Sequence, residues 1–170
     1  MSYIPPHDLE AEVSVLAGCV STLTVAQDAA TRLNGQDFYR SAHRTVFDAV
    51  VQILSRHAVP DVAAVEARLR QHGTLDDVGG IEALLALMDS FGTATMSRHA
   101  IGTVAEMSAR RTAIDRMRHA AQQLTDRQPF AEVIDGTVAA LTGTVPAGAV
   151  VDTEVVQADF YSRLAGDTVP

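Results

Sequence analysis

The fold is organised around one stretch, Gln36-Asp37-Phe38-Tyr39-Arg40-Ser41-Ala42-His43-Arg44-Thr45-Val46-Phe47. Two adjacent aromatic residues close a loop, and apolar residues then recur at helical spacing at Phe47, Val50, Val51 and Leu54. Ser41 is predicted to be the N-cap of this helix, because its hydroxyl can accept a hydrogen bond from a first-turn amide. Aromatic residues make up only 5% of the chain. Phe38, Tyr39 and Phe47 are therefore predicted to supply much of the core.

Length and composition indicate an ordinary globular chain. Its 170 residues suit one domain with or without an appendage, at 47% hydrophobic and 20% charged residues. The apolar runs are too short to cross a bilayer, and no signal-like segment opens the chain, so a cytoplasmic location is expected. Cys19 is the only cysteine. It excludes an internal disulfide and a cysteine-based zinc cluster, and its apolar neighbours predict a buried filler.

The charge distribution argues against binding nucleic acid directly. The net charge is −8, and residues 1–95 hold 6 Arg against 12 acids. Residues 96–128 hold 6 Arg against 3 acids, so direct DNA binding through this segment is the weaker alternative. All thirteen basic residues are arginine. Without lysine, the chain can form neither a GxxxxGK phosphate-binding loop nor a Schiff base.

Cap residues and apolar periodicity predict an all-α chain. Helices are expected from Asp8, over 25–33, from Ser41 to near residue 57, from Pro60-Asp61 to Gly73, over 81–89, over 96–127 and from Phe130. Asn34-Gly35 is predicted to stop the second of these helices. No alternating strand pattern survives. The predicted organisation is a multi-helix globular head over residues 1–95, an antiparallel helical hairpin over 96–142, and a linker with a possible linker helix over 143–170.

The hairpin carries more apolar surface than its own two helices can cover. The residues concerned are Ile114, Met117, Ala121, Leu124, Val133, Ile134, Val138 and Leu141. Two helices alone cannot bury both faces of a hairpin, so a partner must cover the remainder. These eight residues are predicted to mediate self-association. The alternative is that the same residues pack on the head of their own chain.

An ordered set of short matches resembles the N-terminal domain of DnaB-type replicative DNA helicases. The matches are Pro5-Pro6-His7-Asp8-Leu9-Glu10-Ala11-Glu12, Val15-Leu16, Asp37-Phe38-Tyr39-Arg40, Ala42-His43-Arg44, Phe47, Asp61, Leu69, Gly73, Leu75, Val78-Gly79-Gly80, Leu84, Leu87, Val104 and Arg111. Together they span about residues 5 to 125. Three positions depart from the family pattern: Ser41 replaces a usual proline, Ala17 replaces a usual glycine, and Ala100 or His99 replaces a usual tyrosine.

The resemblance implies a collar domain of a hexameric ring, built as a trimer of dimers, which docks primase and sometimes a helicase loader. It makes Phe38, Tyr39, His43 and Phe47 the structural core of the family motif. In full-length relatives a RecA-like motor that uses ATP and Mg²⁺ follows the linker. No catalytic residue, cofactor or metal ligand is expected in this chain by itself.

Two other hypotheses about the function of the chain remain open. One is a stand-alone helical adaptor related to the collar domain. The other is a helical metal-dependent hydrolase, because His7-Asp8 is similar to a metal-binding dyad. Asp8 has a simpler role as an N-cap, and no two histidines show the four-residue spacing of a helical zinc site. His43 is expected to bond a nearby carbonyl, and Arg44 and Arg111 to brace acids such as Asp37 or Asp48.

Overall fold

The structure, a computed structural model, describes residues 3–143 and is helical throughout that range, with no strand among the described residues. The α-helices are α1 (Leu9–Ser21), α2 (Leu23–Arg32), α3 (Ser41–Leu54), α4 (Val62–His72), α5 (Gly80–Asp89), α6 (Ala94–Thr125) and α7 (Phe130–Thr142). Short 3₁₀ turns occupy Gly35–Asp37 and Asp76–Val78. The all-α prediction is confirmed. The linker from residue 144 onwards, with its predicted helix at 152–164, lies outside the described residues.

The chain divides into two compact units, with the boundary inside α6. The first unit extends to Ser108 and contains α1 to α5 with the first part of α6. The second unit begins at Ala109, and its described part contains the rest of α6 and all of α7. The predicted division between residues 95 and 96 lies two residues inside α6, which begins at Ala94.

Several helix ends follow the predicted cap chemistry. Asp8 is the N-cap of α1, where its Oδ1 accepts a bond from the Ala11 amide at 2.9 Å. Asp61 caps α4 in the same way through the Ala64 amide at 2.8 Å. Gly73 ends α4 in the left-handed region at φ 70°, a conformation that a side chain would strain.

Two predicted cap assignments are wrong. Ser41 is the first residue within α3, and the preceding Arg40 is the N-cap residue, with no cap bond from its side chain. Ser41 is at the first helical position, where proline is favoured and where the serine hydroxyl does not act as the N-cap. Asn34-Gly35 does not stop α2, which ends at Arg32 on an extended Leu33. Instead, Asn34 and Asp37 form a capping box around the 3₁₀ turn, with the Asn34 amide donating to Asp37 Oδ2 at 2.7 Å.

The core of the first unit is one continuous apolar cluster. Its largest fully buried apolar side chains include Phe38, Phe47, Leu16, Leu69, Leu84 and Ile101. The rings of Phe38 and Phe47 lie 4.8 Å apart between centroids. Cys19 belongs to the same cluster, and burial raises the pKa of its thiol to about 12. It is therefore an unreactive filler, as predicted.

Gly18 marks the closest approach of α1 to α6 within the first unit. A Cβ at this position would lie 2.6 Å from the Cβ of Ser97 and 2.8 Å from Cγ1 of Val25. Ser97 is itself buried, at 1% exposure. Val25 is also buried, so a side chain at position 18 would force this packed region to shift.

We expect Gly18→Ala to destabilise the protein by about 2 kcal/mol, because overpacking a filled core costs roughly 1–3 kcal/mol. Gly102→Ala is the matched control, since a Cβ there would meet only Arg32 Nη2 at 3.9 Å. That control should be neutral or slightly stabilising, as alanine favours helices over glycine. Urea unfolding measures both free energies. Equal stability of the two variants would contradict the close packing at Gly18.

Candidate functional site

Phe38 and Tyr39, the two adjacent aromatic residues of the family motif, point in opposite directions. Phe38 is fully buried against Phe47, but Tyr39 is 38% exposed and stacks on the ring of His7 at 4.2 Å. The backbone of Phe38 is extended, and successive side chains of an extended chain point to opposite sides. The prediction that Tyr39 supplies core bulk is therefore wrong. Its ring instead covers the segment that leads into α1.

Glu12 of α1 caps the start of α3. Its carboxylate accepts bonds from the backbone amides of Tyr39, at 2.6 Å, and Arg40, at 3.3 Å. It also accepts a bond from Nδ1 of His43 at 2.7 Å. Both amides belong to the residues that lead into α3, which has no side-chain N-cap of its own. The carboxylate thus places a negative charge at the N-terminal end of α3, where the helix dipole favours it. Glu12 thereby ties α1 to α3.

The Glu12 carboxylate is buried but stays charged. At 2% exposure, burial by itself raises the pKa of Glu12. The hydrogen bond from His43 and those from the Tyr39 and Arg40 amides outweigh this effect, so the pKa of Glu12 lies below its ordinary value. The prediction that His43 bonds a carbonyl is wrong, because its Nδ1 donates to the Glu12 carboxylate. The available signal was the position of Glu12, which shares a helical face with Val15, Leu16 and Cys19.

Arg44 lies under the same loop. Its Nη2 donates to the carbonyl of Phe38 at 3.2 Å. Burial raises the pKa of Asp48, and the nearby Arg44 guanidinium offsets part of that rise. The expected bracing of an acid by Arg44 thus involves Asp48. Asp37 accepts a bond from Ser108 Oγ at 2.6 Å.

In the second unit, α7 folds back antiparallel to α6. The two helices line a cleft of about 550 Å³, to which Arg116, Ala120 and Gln123 contribute from α6, and Val133, Thr137 and Ala140 from α7. Arg116 Nη1 donates to the carbonyl of Ala140, near the end of α7. These residues mark the inward-facing row of each helix. The predicted antiparallel hairpin is confirmed.

The residue that follows each inward-facing position lies on one common side of the hairpin. Each residue of a helix points about 100° away from the one before it. Because α6 and α7 run in opposite directions, the residues one position after the inward-facing ones point to the same side of the hairpin on both helices. The rows comprise Met117, Ala121 and Leu124 on α6, and Ile134, Val138 and Leu141 on α7. We call these six residues, with Ile114 and Phe130, the apolar hairpin face. The opposite side carries Asp115, Gln122 and Glu132, and Asp115 also borders the cleft.

Much of the apolar hairpin face is open. Phe130 is 57% exposed, Met117 52% and Leu124 36%. Ala121 is also exposed, and Ile114, Ile134, Val138 and Leu141 are partly buried. Of the eight residues predicted for self-association, Val133 is buried inside the hairpin. The buried Ala120 was missed, because alanine carries little pattern signal. The role of the set in self-association stays a prediction.

Two other kinds of site find no support in the described part of the chain. Over residues 3–143, no helix is long and apolar enough to cross a membrane. Nor do three potential metal-ligating side chains come together there. In the predicted His7-Asp8 dyad, Asp8 caps α1 and His7 donates from Nδ1 to the carbonyl of Pro5 at 2.8 Å. Both residues are thus engaged within the fold.

Comparison with known proteins decides the family. Residues 4–106 match the family model of the DnaB-like helicase N terminal domain. This match covers more than half of the chain. The chain belongs to the DnaB-like helicase N-terminal domain family. Its fold matches the crystal structure of the N-terminal domain of DnaB helicase from Mycobacterium tuberculosis with a TM-score of 0.75 and 31% identity, covering 82% of this chain and 99% of that one.

The chain is also similar to replicative DNA helicases from several bacteria. The chain is 36% identical over 111 residues to the replicative DNA helicase DnaB of Mycobacterium leprae, covering 65% of this chain and 18% of the relative. It is 30% identical over 131 residues to that of Geobacillus stearothermophilus, covering 77% and 29%. The chain thus spans less than a third of the length of these relatives.

Proposed function

We propose that this domain self-associates through the apolar hairpin face and forms the collar of a replicative helicase ring. The observation that carries the proposal is the one-sided distribution of apolar residues on α6 and α7. Large apolar side chains in contact with water mark interaction surfaces when they are contiguous and bordered by polar residues. The hairpin has this arrangement, with acids and amides on its other side.

A symmetric pairing of two such faces suits the chemistry. In a two-fold interface the same patch meets itself, so an apolar, largely uncharged face is self-complementary. The six central residues of the face include no charged side chain. Family membership supports a dimer as the building unit of a trimer of dimers. The exposed surface of such a collar then docks primase or a helicase loader.

ATP hydrolysis, on this proposal, takes place in another part of the parent protein. This chain has no lysine, and a phosphate-binding loop of the usual kind needs one. We propose that ATP, Mg²⁺ and DNA unwinding belong to a motor domain of the helicase, which acts in the cytoplasm during replication. The acidic net charge of −8 makes proteins rather than DNA the expected partners of the collar.

We expect the purified chain to self-associate. In multi-angle light scattering, its apparent mass should rise from 18.1 kDa towards a multiple of that value as concentration increases into the high micromolar range. High salt should not reverse the association, since burial of apolar surface drives it. A constant monomer mass over the whole range would contradict the proposal. Capture of a cognate primase by the immobilised chain tests the docking role separately.

A further inference from the structure

The cleft between α6 and α7 opens on the side of the hairpin that lies opposite the apolar hairpin face. Asp115, His119 and Gly136 border the cleft, and each stands one position before an inward-facing residue. Successive residues of a helix point about 100° apart, so these three point away from the apolar hairpin face. No residue of that face lines the cleft. The cleft is therefore a separate candidate, and its role does not rest on the function proposed above.

Small side chains form the floor of this cleft. Ala120 and Val133 are buried at its base, and Gly136 and Ala140 border it from α7. We call these four residues the small-residue floor. A Cβ at Gly136 would meet no heavy atom within 4 Å outside its own helix, among the described residues. The cleft volume of about 550 Å³ lies within the range of roughly 300–1,000 Å³ that binding sites occupy. Small residues on one side leave room for large ones on the other.

A stretch of the same chain carries large apolar residues at the matching spacing. It comprises residues 152–164, which lie outside the described part of the structure. Val156, Phe160 and Leu164 recur there every fourth residue, so a helix would place them on one face. We call these three residues the apolar stripe. Its bulky side chains complement the small-residue floor.

The charges of the two segments are opposite in sign. Residues 109–127 hold 5 Arg against 2 acids, and residues 152–164 hold 3 acids against 1 Arg. Arg116 is the arginine that lines the cleft in the described structure, where it donates to the carbonyl of Ala140. A guanidinium carries five N–H donors, so it can also pair with a carboxylate next to the apolar stripe. Asp159 stands in such a position, beside Phe160.

The connection between the two segments is long enough to bring them together. Residues 143–151 separate α7 from residues 152–164. An extended connection of this length spans up to about 30 Å, whereas a helix of 13 residues such as α7 is about 20 Å long. The chain can therefore return along α7 in the antiparallel direction. Because the two segments are tethered, their effective concentration is roughly millimolar.

We propose that residues 152–164 bind as a helix in the cleft of their own hairpin. The apolar stripe packs on the small-residue floor, and the Asp159 carboxylate pairs with the Arg116 guanidinium. The hairpin then becomes a three-helix unit whose apolar hairpin face stays open for self-association. Binding in the cleft also fixes the direction in which the chain leaves the hairpin.

A nitroxide label on the full chain tests this proposal through paramagnetic broadening of ¹⁵N-resolved NMR signals. Ala158→Cys places a reactive thiol on the side of a 152–164 helix away from the apolar stripe. The label attaches there selectively, because burial raises the pKa of the Cys19 thiol to about 12 and keeps it unreactive. We expect the label to broaden the amide signals of Gly136 and Ala140, and reduction of the nitroxide to restore them.

Two substitutions in the segment separate specific docking from random encounters. Phe160→Asp should lower the ratio of docked to undocked chains at least about tenfold, because it places a charge against the floor of the cleft. Ala165→Asp adds the same charge on the side away from the apolar stripe and should leave the broadening intact. Equal broadening in these two variants overturns the proposal.

Two substitutions in the hairpin test the cleft itself. Gly136→Trp fills the cleft from its edge and should abolish the broadening at Ala140. Ala131→Trp adds the same side chain at an exposed position of α7 outside the cleft lining, and should preserve it. An unchanged response in Gly136→Trp contradicts docking in the cleft.

A mixed sample identifies which chain supplies the segment. One chain carries the nitroxide without ¹⁵N, and the other carries ¹⁵N without the nitroxide. We expect much weaker broadening in this mixture than in the doubly labelled chain. Equal broadening in the mixture, or none in either sample, overturns the proposal. Light scattering on the same samples reports self-association separately, so failure of one proposal leaves the other to its own test.

Discussion

Glu12→Gln should destabilise this domain by about 3 kcal/mol, the largest single-residue effect that the structure predicts. The variant keeps the shape of the side chain but replaces one acceptor oxygen by an amide donor. That donor would face the backbone N–H groups of Tyr39 and Arg40 or the Nδ1–H of His43, all of which need an acceptor. Breaking a buried charged contact typically costs 3–5 kcal/mol, and partial retention by the glutamine carbonyl reduces it.

The pH dependence gives this prediction a distinctive signature. The folded-state pKa of Glu12 lies below the ordinary value of 4.5. Its stabilisation is therefore complete above pH 4.5 and is lost as the pH falls through the folded-state pKa. Denaturant unfolding should be measured at pH 7 and at steps down to pH 3. The difference in the free energy of unfolding between wild type and Glu12→Gln should become smaller as the pH falls.

Glu10→Gln is the matched control, because Glu10 lies in the same first turn of α1 but is exposed. It should change stability by no more than about 0.5 kcal/mol. An effect of Glu12→Gln as small as that of Glu10→Gln would show that the contact between α1 and α3 does not hold the head together. A gap that stays constant down to pH 3 would contradict the assignment of Glu12 as a charged cap.

The double variant Met117→Glu/Leu124→Glu should weaken self-association at least about a hundredfold. Both side chains are open in the single chain, at 52% and 36% exposure, so the monomer tolerates the change, and glutamate is a good helix former. In the paired state the two carboxylates would lie in an apolar interface. An unpaired buried charge costs several kcal/mol, and every 1.4 kcal/mol is tenfold in affinity.

The control for this variant carries the same added charge on the other side of the hairpin. Gln122→Glu/Ala139→Glu changes two exposed residues that lie away from the apolar hairpin face. It should self-associate as the wild type does, and circular dichroism should show both variants to be helical. Equal weakening by the two double variants would mean that net charge, and not the apolar face, controls assembly.

Local chemistry made much of the helical framework predictable. Asp8, Asp61 and Gly73 act at helix ends through contacts within four residues, so the sequence alone carries the information. Ser41 shows the limit of this reasoning. Its hydroxyl is a chemically suitable cap, but the carboxylate at this end of α3 is that of Glu12, which is 28 residues away from Arg40 in the chain. No local pattern reports such a contact.

The direction in which a side chain points is the second feature that the sequence does not predict. The scarcity and bulk of aromatic residues predict both Phe38 and Tyr39 in the core, but the extended backbone of this segment turns Tyr39 towards His7. In the hairpin, the spacing of apolar residues does not distinguish those that face the other helix from those of the apolar hairpin face. That separation required the antiparallel pairing of α6 and α7, which sets Val133 inside and leaves Met117 and Leu124 open.

The central claim is that the apolar hairpin face of one chain meets the same face of another. Isotope-filtered NOE spectroscopy on a mixture of labelled and unlabelled chains tests it directly. The prediction is that the methyl groups of Met117, Leu124, Ile134 and Val138 give intermolecular NOEs to the same set of residues in the second copy. Intermolecular NOEs confined to other exposed apolar residues, such as Leu85 and Met88 of α5, would contradict it.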